Sequence, residues 1–393
     1  MSFRKNISKV LFPLTCWYAV GVRFRNMFYS MGIIKQEAPH ITTIGVGNLS
    51  TGGTGKTPHV EYLLRLLADQ YPTAMLSRGY KRRTKGYVED DGSHDPAQLG
   101  DEPAMIAAKF PHVKVAVCEK RVEGVRRLMT HTTTPDSLEN PENPESPEKL
   151  ESPEKPESPE SPETPAPATP QLIVLDDVFQ HRRIKPSINI LLTEYSHPYY
   201  ADHILPYGDL REFKSARFRA NIVIVTKCPP VLNPVERHNI AHDLGVQNYQ
   251  KVFFSYLVYG RPTTLDGRAT DIDLGRVDNV LAVTGIAHPD TFVAELRQRT
   301  RTQHLAFADH HDFSGGDLAR IRNAFEALPG TNKIILTTEK DAMRLHGKTG
   351  NLPVYYLPIT VAFHKEKDLD FDALVESTVR ENISFLSKLS IWS

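Results

Sequence analysis

The chain has 393 residues, long enough for two α/β domains with separate cores, and about 40% of them are apolar. Its 47 Lys and Arg balance 47 Asp and Glu, so bulk charge argues against a nucleic-acid binder and against an acidic tail protein. Three cysteines, Cys16, Cys118 and Cys228, stand far apart without a CxxC; this excludes a disulfide scaffold and a cysteine metal site and suits a reducing compartment.

The first segment, residues 1–35, has basic residues, a largely apolar stretch from Val10 to Val22, and then Arg23 and Arg25. Thirteen residues are too few to cross a hydrocarbon core. Leu11, Leu14, Tyr18 and Val22 recur at helical spacing, which predicts an amphipathic helix. Two readings stay open for it: a helix lying in a membrane interface, or one packed on its own domain.

From Ile41 the chain alternates short apolar runs with helical patterns. Strands are predicted at Ile41–Val46, Thr73–Leu76, Lys114–Val117, Leu172–Leu175, Ile188–Leu192 and Asn221–Val225, with helices at Pro58–Gln70 and Glu102–Phe110. This rhythm implies a mostly parallel sheet covered on both faces. Residues 131–170 break it with imperfect Pro, Glu and Ser repeats, which read as a disordered insert within a domain spanning residues 36–250. A second α/β block is expected over residues 251–393. Its strands are placed at Val252–Leu257, Val280–Val283, Ile334–Thr337 and Val354–Leu357, and its helices at Pro289–Arg297, Gly316–Ala327 and Asp370–Leu386. The last helix is a candidate to return to the first domain.

Between the first strand and its helix lies Ser50-Thr51-Gly52-Gly53-Thr54-Gly55-Lys56-Thr57. A glycine-rich turn entering a helix presents successive backbone N–H groups and the positive end of the helix dipole to phosphates. Lys56 suits the outer phosphates and the Thr57 hydroxyl suits Mg²⁺. Ser50 stands where the strict pattern has glycine. The loop points to a nucleotide, not to a reaction.

"LIVLDDVFQHRR" places Asp176 and Asp177 at the C-terminal end of a buried strand, where an open parallel sheet forms its ligand crevice. At least one of the two is expected to hold metal. Arg182 and Arg183 follow, and Arg78, Lys81, Arg82, Arg83 and Lys85 form a basic cluster after another strand. Substrate phosphate, anionic lipid and plain solvation are all open for these cations. Asp101 and Glu102 of "GDEP" read as helix-start acids. Asp309, His310, His311 and Asp312 of "FADHHDF" read as a base pair, a weak metal site or a polar loop.

As an ordered set, "GNLSTGGTGKTP", "LSRGYKRRTKG", "GDEP", "LDDVFQHRR", "LPYGDLRE", "VTGIAHPDTF", "FADHHDF" and "TTEKDAMRL" resemble the tetraacyldisaccharide 4'-kinase family. The resemblance implies two α/β/α sandwich domains, the N-terminal one of P-loop nucleoside triphosphate hydrolase type, joined by a short strand linker with ATP in the cleft. It implies transfer from ATP, with Mg²⁺, to the 4'-hydroxyl of an acylated glucosamine disaccharide 1-phosphate, at the cytoplasmic face of the bacterial inner membrane. It also implies peripheral or monotopic attachment to an anionic lipid surface, and no obligate protein partner is evident.

Carried over residue by residue, the phosphate loop runs from Ser50 to Thr57, and Asp176 and Asp177 serve metal and catalysis. Asp101 and His310 resemble the family's base dyad, and Arg78 and the two arginines of "HRR" become candidates for charge stabilisation. The usual DDGFQHRR here has Val178 for glycine, so ordinary β or α angles are expected in that turn. The rival reading is another P-loop kinase or ATPase acting on a soluble small molecule.

Overall fold

A computed structural model describes residues 12–130, 169–366 and 369–390. The predicted insert lies outside the described residues except at its last two positions, as does Leu11 of the N-terminal pattern. The chain opens with α1 (Phe12–Ser30) and then builds a nine-stranded sheet from β1 (Thr42–Asn48), β2 (Thr73–Ser77), β3 (Val88–Glu89), β4 (Lys114–Val117), β5 (Leu172–Asp176), β6 (Ile188–Glu194), β7 (Ile222–Thr226), β8 (Lys251–Tyr259) and β14 (Ile359–Phe363). Their spatial order is β14-β8-β7-β6-β1-β5-β2-β4-β3, parallel except for the two edge strands β14 and β3. A smaller sheet contains β9 (Thr263–Thr264), β10 (Asn279–Thr284), β11 (Thr302–Ala306), β12 (Lys333–Thr338) and β13 (Val354–Leu357), ordered β11-β10-β12-β13-β9.

Helices cover both faces of both sheets, as the alternating rhythm predicted. Every residue of β1, β2, β5 and β7 is buried, as expected for strands packed on both sides. Helix α2 (Lys56–Leu67) buries Val60, Leu63, Leu64 and Leu67, one stripe at 3.6-residue spacing, against Ile44, Val46, Val174 and Ile190. α3 (Pro96–Leu99) and α4 (Asp101–Lys109) follow β3, and α5 (Arg121–Thr130) packs Val125 and Leu128 against Leu76 and Ile173 on the opposite face. α6 (Pro234–Asp243) precedes β8. In the smaller sheet, α7 (Asp290–Arg299) packs against Val280 and Ala282, and α8 (Gly315–Glu326) against Leu281 and Val283.

The sheets do not divide at residue 251. β8 begins there, but it pairs in parallel with β7 and belongs to the first sheet, with Ile222 opposite Lys251. The chain leaves that sheet at the end of β8 and re-enters it through β14, which pairs antiparallel to β8 with Ile359 opposite Tyr259. The last helix, α10 (Phe371–Ser390), also packs on the first sheet, placing Phe371, Val375 and Val379 in its core.

Phe371 stacks on Phe363 with centroids 4.1 Å apart and meets Phe253 edge-on at 5.1 Å, so the chain's end seals the core beside α2. Phe371→Ala is expected to destabilise the protein by about 3–5 kcal/mol in denaturant unfolding. A loss below about 1 kcal/mol would show that α10 does not seal this core.

Candidate active site

β1 lies between β5 and β6, with its sequence neighbour β2 beyond β5, so the strand order reverses at β1 and leaves a crevice at its C-terminal end. Asp176 is level with Val46 in the β1–β5 ladder, which sets it at the mouth of the loop running from Leu49 to Gly55. The following turn lies directly on β1. A Cβ at Gly47 would meet Phe179 at 2.6 Å, so only glycine lets the turn approach that closely. Val178 N donates to Val46 O at 3.2 Å and Gln180 Nε2 to Asn48 O at 2.7 Å.

The turn does not keep ordinary angles. Asp177 has φ of 47°, while Val178 is not among the left-handed residues. The left-handed step falls on an aspartate, which tolerates it where the following valine does not. The two carboxylates have different partners. Asp176 is buried, with Oδ2 accepting from Ser77 Oγ at 3.0 Å and Oδ1 left without a protein partner among the described residues. Burial and the neighbouring Asp177 charge push its carboxyl up. Burial also acts on Asp177, but Lys56, 3.6 Å from Oδ1, and Arg211, 3.0 Å from the same oxygen, outweigh it and hold that carboxyl well below the usual range.

The phosphate loop is tied on both sides. Gly52 and Gly55 have positive φ, 114° and 82°, and Gly55 precedes the first helical residue, Lys56. Ser50 forms an extended bridge with Leu210, which explains why no glycine is needed there. Thr51 N donates to Asp209 O at 2.7 Å, and Arg211 N to Leu49 O at 2.7 Å. Thr226 Oγ1 donates to Thr54 O at 2.9 Å. His59 is buried under the loop, with Nδ1 2.7 Å from Gly55 O and Nε2 2.9 Å from Ser255 Oγ on β8. A carbonyl only accepts, so Nδ1 carries the proton and Nε2 accepts from the serine. Burial brings His59 down to about 4.

Asp101 begins α4 and does not cap it; its carboxylate turns to the smaller sheet. Oδ2 lies 3.1 Å from His310 Nδ1 and also accepts from Arg344 Nη2, a residue of α9 (Glu339–Leu345). Oδ1 has no protein partner among the described residues. Burial pushes Asp101 up, but Arg344 and His310 outweigh it and hold the carboxyl below its ordinary value. Lys340 Nζ reaches His310 Nε2 at 3.3 Å and Glu102 Oε1 at 2.8 Å. Lysine and arginine only donate, and Arg344 Nη2 lies 3.0 Å from His310 Nδ1, so each ring nitrogen faces a cationic donor; the Asp101 carboxylate beside Nδ1 is the acceptor that favours the imidazole proton there. His310 itself has φ of 60°, so the turn after β11 swings it out of the strand direction.

The four polar residues of "FADHHDF" separate in space. His310 goes to Asp101 and lies 3.8 Å from Asp309; His311 bonds Asp317 at 3.0 Å, and Asp312 bonds Lys348 at 2.8 Å. They form no shared metal site. No cluster of three or more His, Cys, Asp or Glu suited to a metal occurs among the described residues.

The exit of β2 links the two halves of the site: Ser77 bonds Asp176, and the Tyr80 ring lies 6.0 Å from His310. Arg78 between them is exposed and makes no hydrogen bond or ion pair among the described residues. Within the basic cluster Arg82 is engaged by Glu119 at 2.6 Å. Arg182 turns away from the crevice, donating to Asn26 O at 3.0 Å and stacking over Tyr29 of α1, while Arg183 is exposed. Arg121 is buried behind the carboxylates, donating to Asp176 O at 2.9 Å, and burial lowers it to about 10.

A family model described as tetraacyldisaccharide-1-P 4'-kinase, LpxK, matches residues 7–379. The chain belongs to this family. Similar relatives carry the name tetraacyldisaccharide 4'-kinase. That of Bacteroides fragilis strain YCH46 is 38% identical and covers 96% of this chain and 94% of its own; that of Flavobacterium johnsoniae is 36% identical and covers 96% and 98%. A crystal structure of LpxK from Aquifex aeolicus in complex with ATP is similar with a TM-score of 0.68 and 26% identity, covering 95% of this chain and 99% of that one. The family expected from the ordered motifs is the family found, and the chain is a kinase of the same two-sheet fold.

Sequence reasoning gave no role to Arg211, Lys340, Arg344, Arg121 or His59. Arg211 lies in "LPYGDLRE" and Lys340 and Arg344 in "TTEKDAMRL", so position within a motif was the available signal; the i, i+4 spacing of the last two puts them on one helix face. His59 follows the phosphate loop directly, but nothing local marks it as buried.

His59 ties acid stability to the phosphate loop. Between its ordinary 6.5 and its folded value of about 4, the unfolded chain binds a proton that the folded chain excludes. Stability is therefore full above 6.5 and falls as pH drops toward 4, by up to about 1.4 kcal/mol per pH unit. His59→Gln should narrow the difference in melting temperature between about pH 7 and about pH 5. An unchanged difference would mean that His59 is not held neutral.

Proposed function

We propose that the chain transfers the γ-phosphoryl group of ATP to the 4'-hydroxyl of tetraacyldisaccharide 1-phosphate, giving lipid IVA. Family membership carries the substrate. The observation that carries the chemistry is the Asp101–His310 contact at 3.1 Å, made between the two sheets and joined to the phosphate-loop crevice by the β2 exit. We read the two sheets as two domains, with β8 and β14 as the strand pair between them.

Backbone N–H groups of Ser50–Gly55 and the start of α2 would cradle the phosphates, with Lys56 on the outer ones. The residues present also fit Mg²⁺. Asp176 Oδ1 is a buried oxygen with no protein partner among the described residues, Asp177 is ionised, and Thr57 lies in the first turn of α2. One or two carboxylates with substrate phosphates are the usual protein share of such a site. Bound there, the ion would neutralise charge developing on the β- and γ-phosphates.

The 4'-hydroxyl oxygen bonds to the γ-phosphorus as the bond to the bridging oxygen breaks and ADP leaves. Asp101 takes the hydroxyl proton, and its free oxygen, Oδ1, is the one available for it. His310 donates to Oδ2 and orients the carboxylate. Arg78, exposed and unengaged, is suited to charge on the transferring group or on substrate phosphate.

A bilayer-bound substrate also fits α1. No described helix is long and apolar enough to cross a membrane. α1 is seated through polar contacts: Tyr18 Oη to Arg211 O at 2.9 Å and Arg25 to buried Glu212 at 3.1 Å. Its other face leaves Leu14, Trp17, Val20, Phe24 and Met27 exposed, Trp17 by 78%. We read that face as the attachment to anionic lipid at the cytoplasmic face of the inner membrane. A kinase for a soluble small molecule has no use for it.

Transfer of labelled γ-phosphate to tetraacyldisaccharide 1-phosphate in mixed micelles, with Mg²⁺, should fall by about 10²–10⁴-fold in Asp101→Ala. Absence of transfer by folded, ATP-binding native protein sinks the substrate reading; full activity of Asp101→Ala sinks the base. Trp17→Ser with Phe24→Ser should weaken co-sedimentation with anionic vesicles by roughly tenfold or more, at ~0.8 kcal/mol per buried methylene. Equal binding would remove α1 from the interface.

A further inference from the structure

Two short helices from different sheets meet along a seam of opposite charges. α4 offers Asp101 and Glu102 at its start and Lys109 at its end; α9 offers Glu339, Lys340 and Arg344. Lys109 bridges to Glu339 at 2.5 Å, Lys340 to Glu102 at 2.8 Å, and Arg344 to Asp101. Arg344 differs from the two lysines because its forked guanidinium puts one nitrogen on each of two carboxylates, Asp341 and Asp101. Nη1 lies 3.2 Å from Asp341 Oδ1 and 3.4 Å from Gly285 O, while Nη2 binds Asp101 Oδ2 and lies 3.0 Å from His310 Nδ1.

Its mounting is rigid. Asp341 is fully buried and accepts from Gly285 N at 2.9 Å and from Thr338 Oγ1 at 2.7 Å. His310 N donates to Gly285 O at 3.0 Å. The peptide at Gly285 thus fixes Arg344 and His310 to each other, and both reach the same oxygen of Asp101. The opposite oxygen, Oδ1, is left without a protein partner among the described residues.

We propose that Arg344 is a positioning residue for proton transfer: it holds Asp101 against His310 between the two sheets and turns Oδ1 toward the substrate hydroxyl. The proposal rests on the reading of Asp101 as the base. Lysine has no fork and cannot hold Asp341 and Asp101 together. The charged and titratable groups around Asp101 are Glu102 on its own helix, Tyr80 from the β2 exit, Asp309 and His310 after β11, and Lys340, Asp341 and Arg344 on α9. Arg344 bonds the carboxylate directly, whereas the Lys340 ammonium is bonded to Glu102 and His310 instead.

The test compares native enzyme with Arg344→Met, Arg344→Lys, Asp101→Ala and the Asp101→Ala/Arg344→Met double variant in the mixed-micelle transfer assay across pH, with melting temperatures alongside. Arg344→Met should lower kcat by about 10-fold to 10²-fold, keep the KM for ATP within about twofold, and move the acid limb of kcat/KM to higher pH. Arg344→Lys keeps a charge near the carboxylate and should restore the limb more fully than kcat. In the Asp101→Ala background, Arg344→Met should cost nothing further. A native pH limb in Arg344→Met, or a full additional loss in the double variant, overturns the proposal. If Arg344→Met melts too low to assay, a native kcat and native limb in Arg344→Lys would overturn it instead. Full activity of Asp101→Ala would instead remove the base reading. A dead Asp101→Ala beside a native-like Arg344→Met removes only the role of Arg344.

Discussion

Lys56 and Arg211 reach the Asp177 carboxylate from two separate segments of chain, and much of the crevice is organised around that sharing. Lys56 opens α2 at the end of the phosphate loop, while Arg211 also bonds Asn48, the last residue of β1. With two cations beside it, Asp177 stays ionised despite burial. Burial and then the Asp177 charge raise Asp176, against the opposing pull of Lys56, Ser77 and Arg121. Adjacent acids on one strand end are thereby given different electrostatic settings. Asp177 takes up a left-handed backbone where its carboxylate meets Lys56 and Arg211, while Asp176 on the strand end meets Ser77.

The second constraint is that the site is shared between two sheets. Asp101 and the phosphate loop belong to the first; His310 and Arg344 belong to the second. Covalently the two are joined where β8 leaves and β14 returns, strands paired side by side. His59 bonds the Gly55 carbonyl to Ser255 on β8, so the phosphate loop is also fastened to the strand that carries the chain across. Away from that strand pair, ion pairs between α4 and α9 join the sheets. Partly buried pairs of this kind are less screened than surface ones, and arginine forks add direction to the attraction.

The sequence made the local parts of this legible. Strand–glycine loop–helix at Ile41–Gln70 and the apolar run ending in Asp176 and Asp177 carry their conformation in residue type and spacing. The assignment of β8 to the second block failed because an apolar run signals a strand and says nothing of its partner; pairing with β7 is a tertiary fact. His310 and His311 are adjacent in sequence, yet a positive φ at His310 sends one to Asp101 and the other to Asp317. Likewise, Arg182 looked like a phosphate ligand beside the acids but faces α1. Charged residue types were readable, whereas their directions depended on single backbone angles.

The segment at residues 209–212 shows how position on the chain becomes function. Asp209 and Arg211 hold the phosphate loop through backbone bonds at Thr51 and Leu49, and the Arg211 side chain holds Asp177. The next residue, Glu212, is buried and binds Arg25 and Asn26 of α1 together with Arg219. The Arg211 carbonyl, between them, accepts from Tyr18. A buried carboxylate must be paired or it destabilises the fold, so Glu212 requires the polar face of α1 to be present. That requirement fixes the rotation of the helix and leaves its apolar face outward. The orientation of the exposed apolar stripe and the placement of the catalytic-crevice arginine therefore have one source, two adjacent side chains that point to opposite tasks.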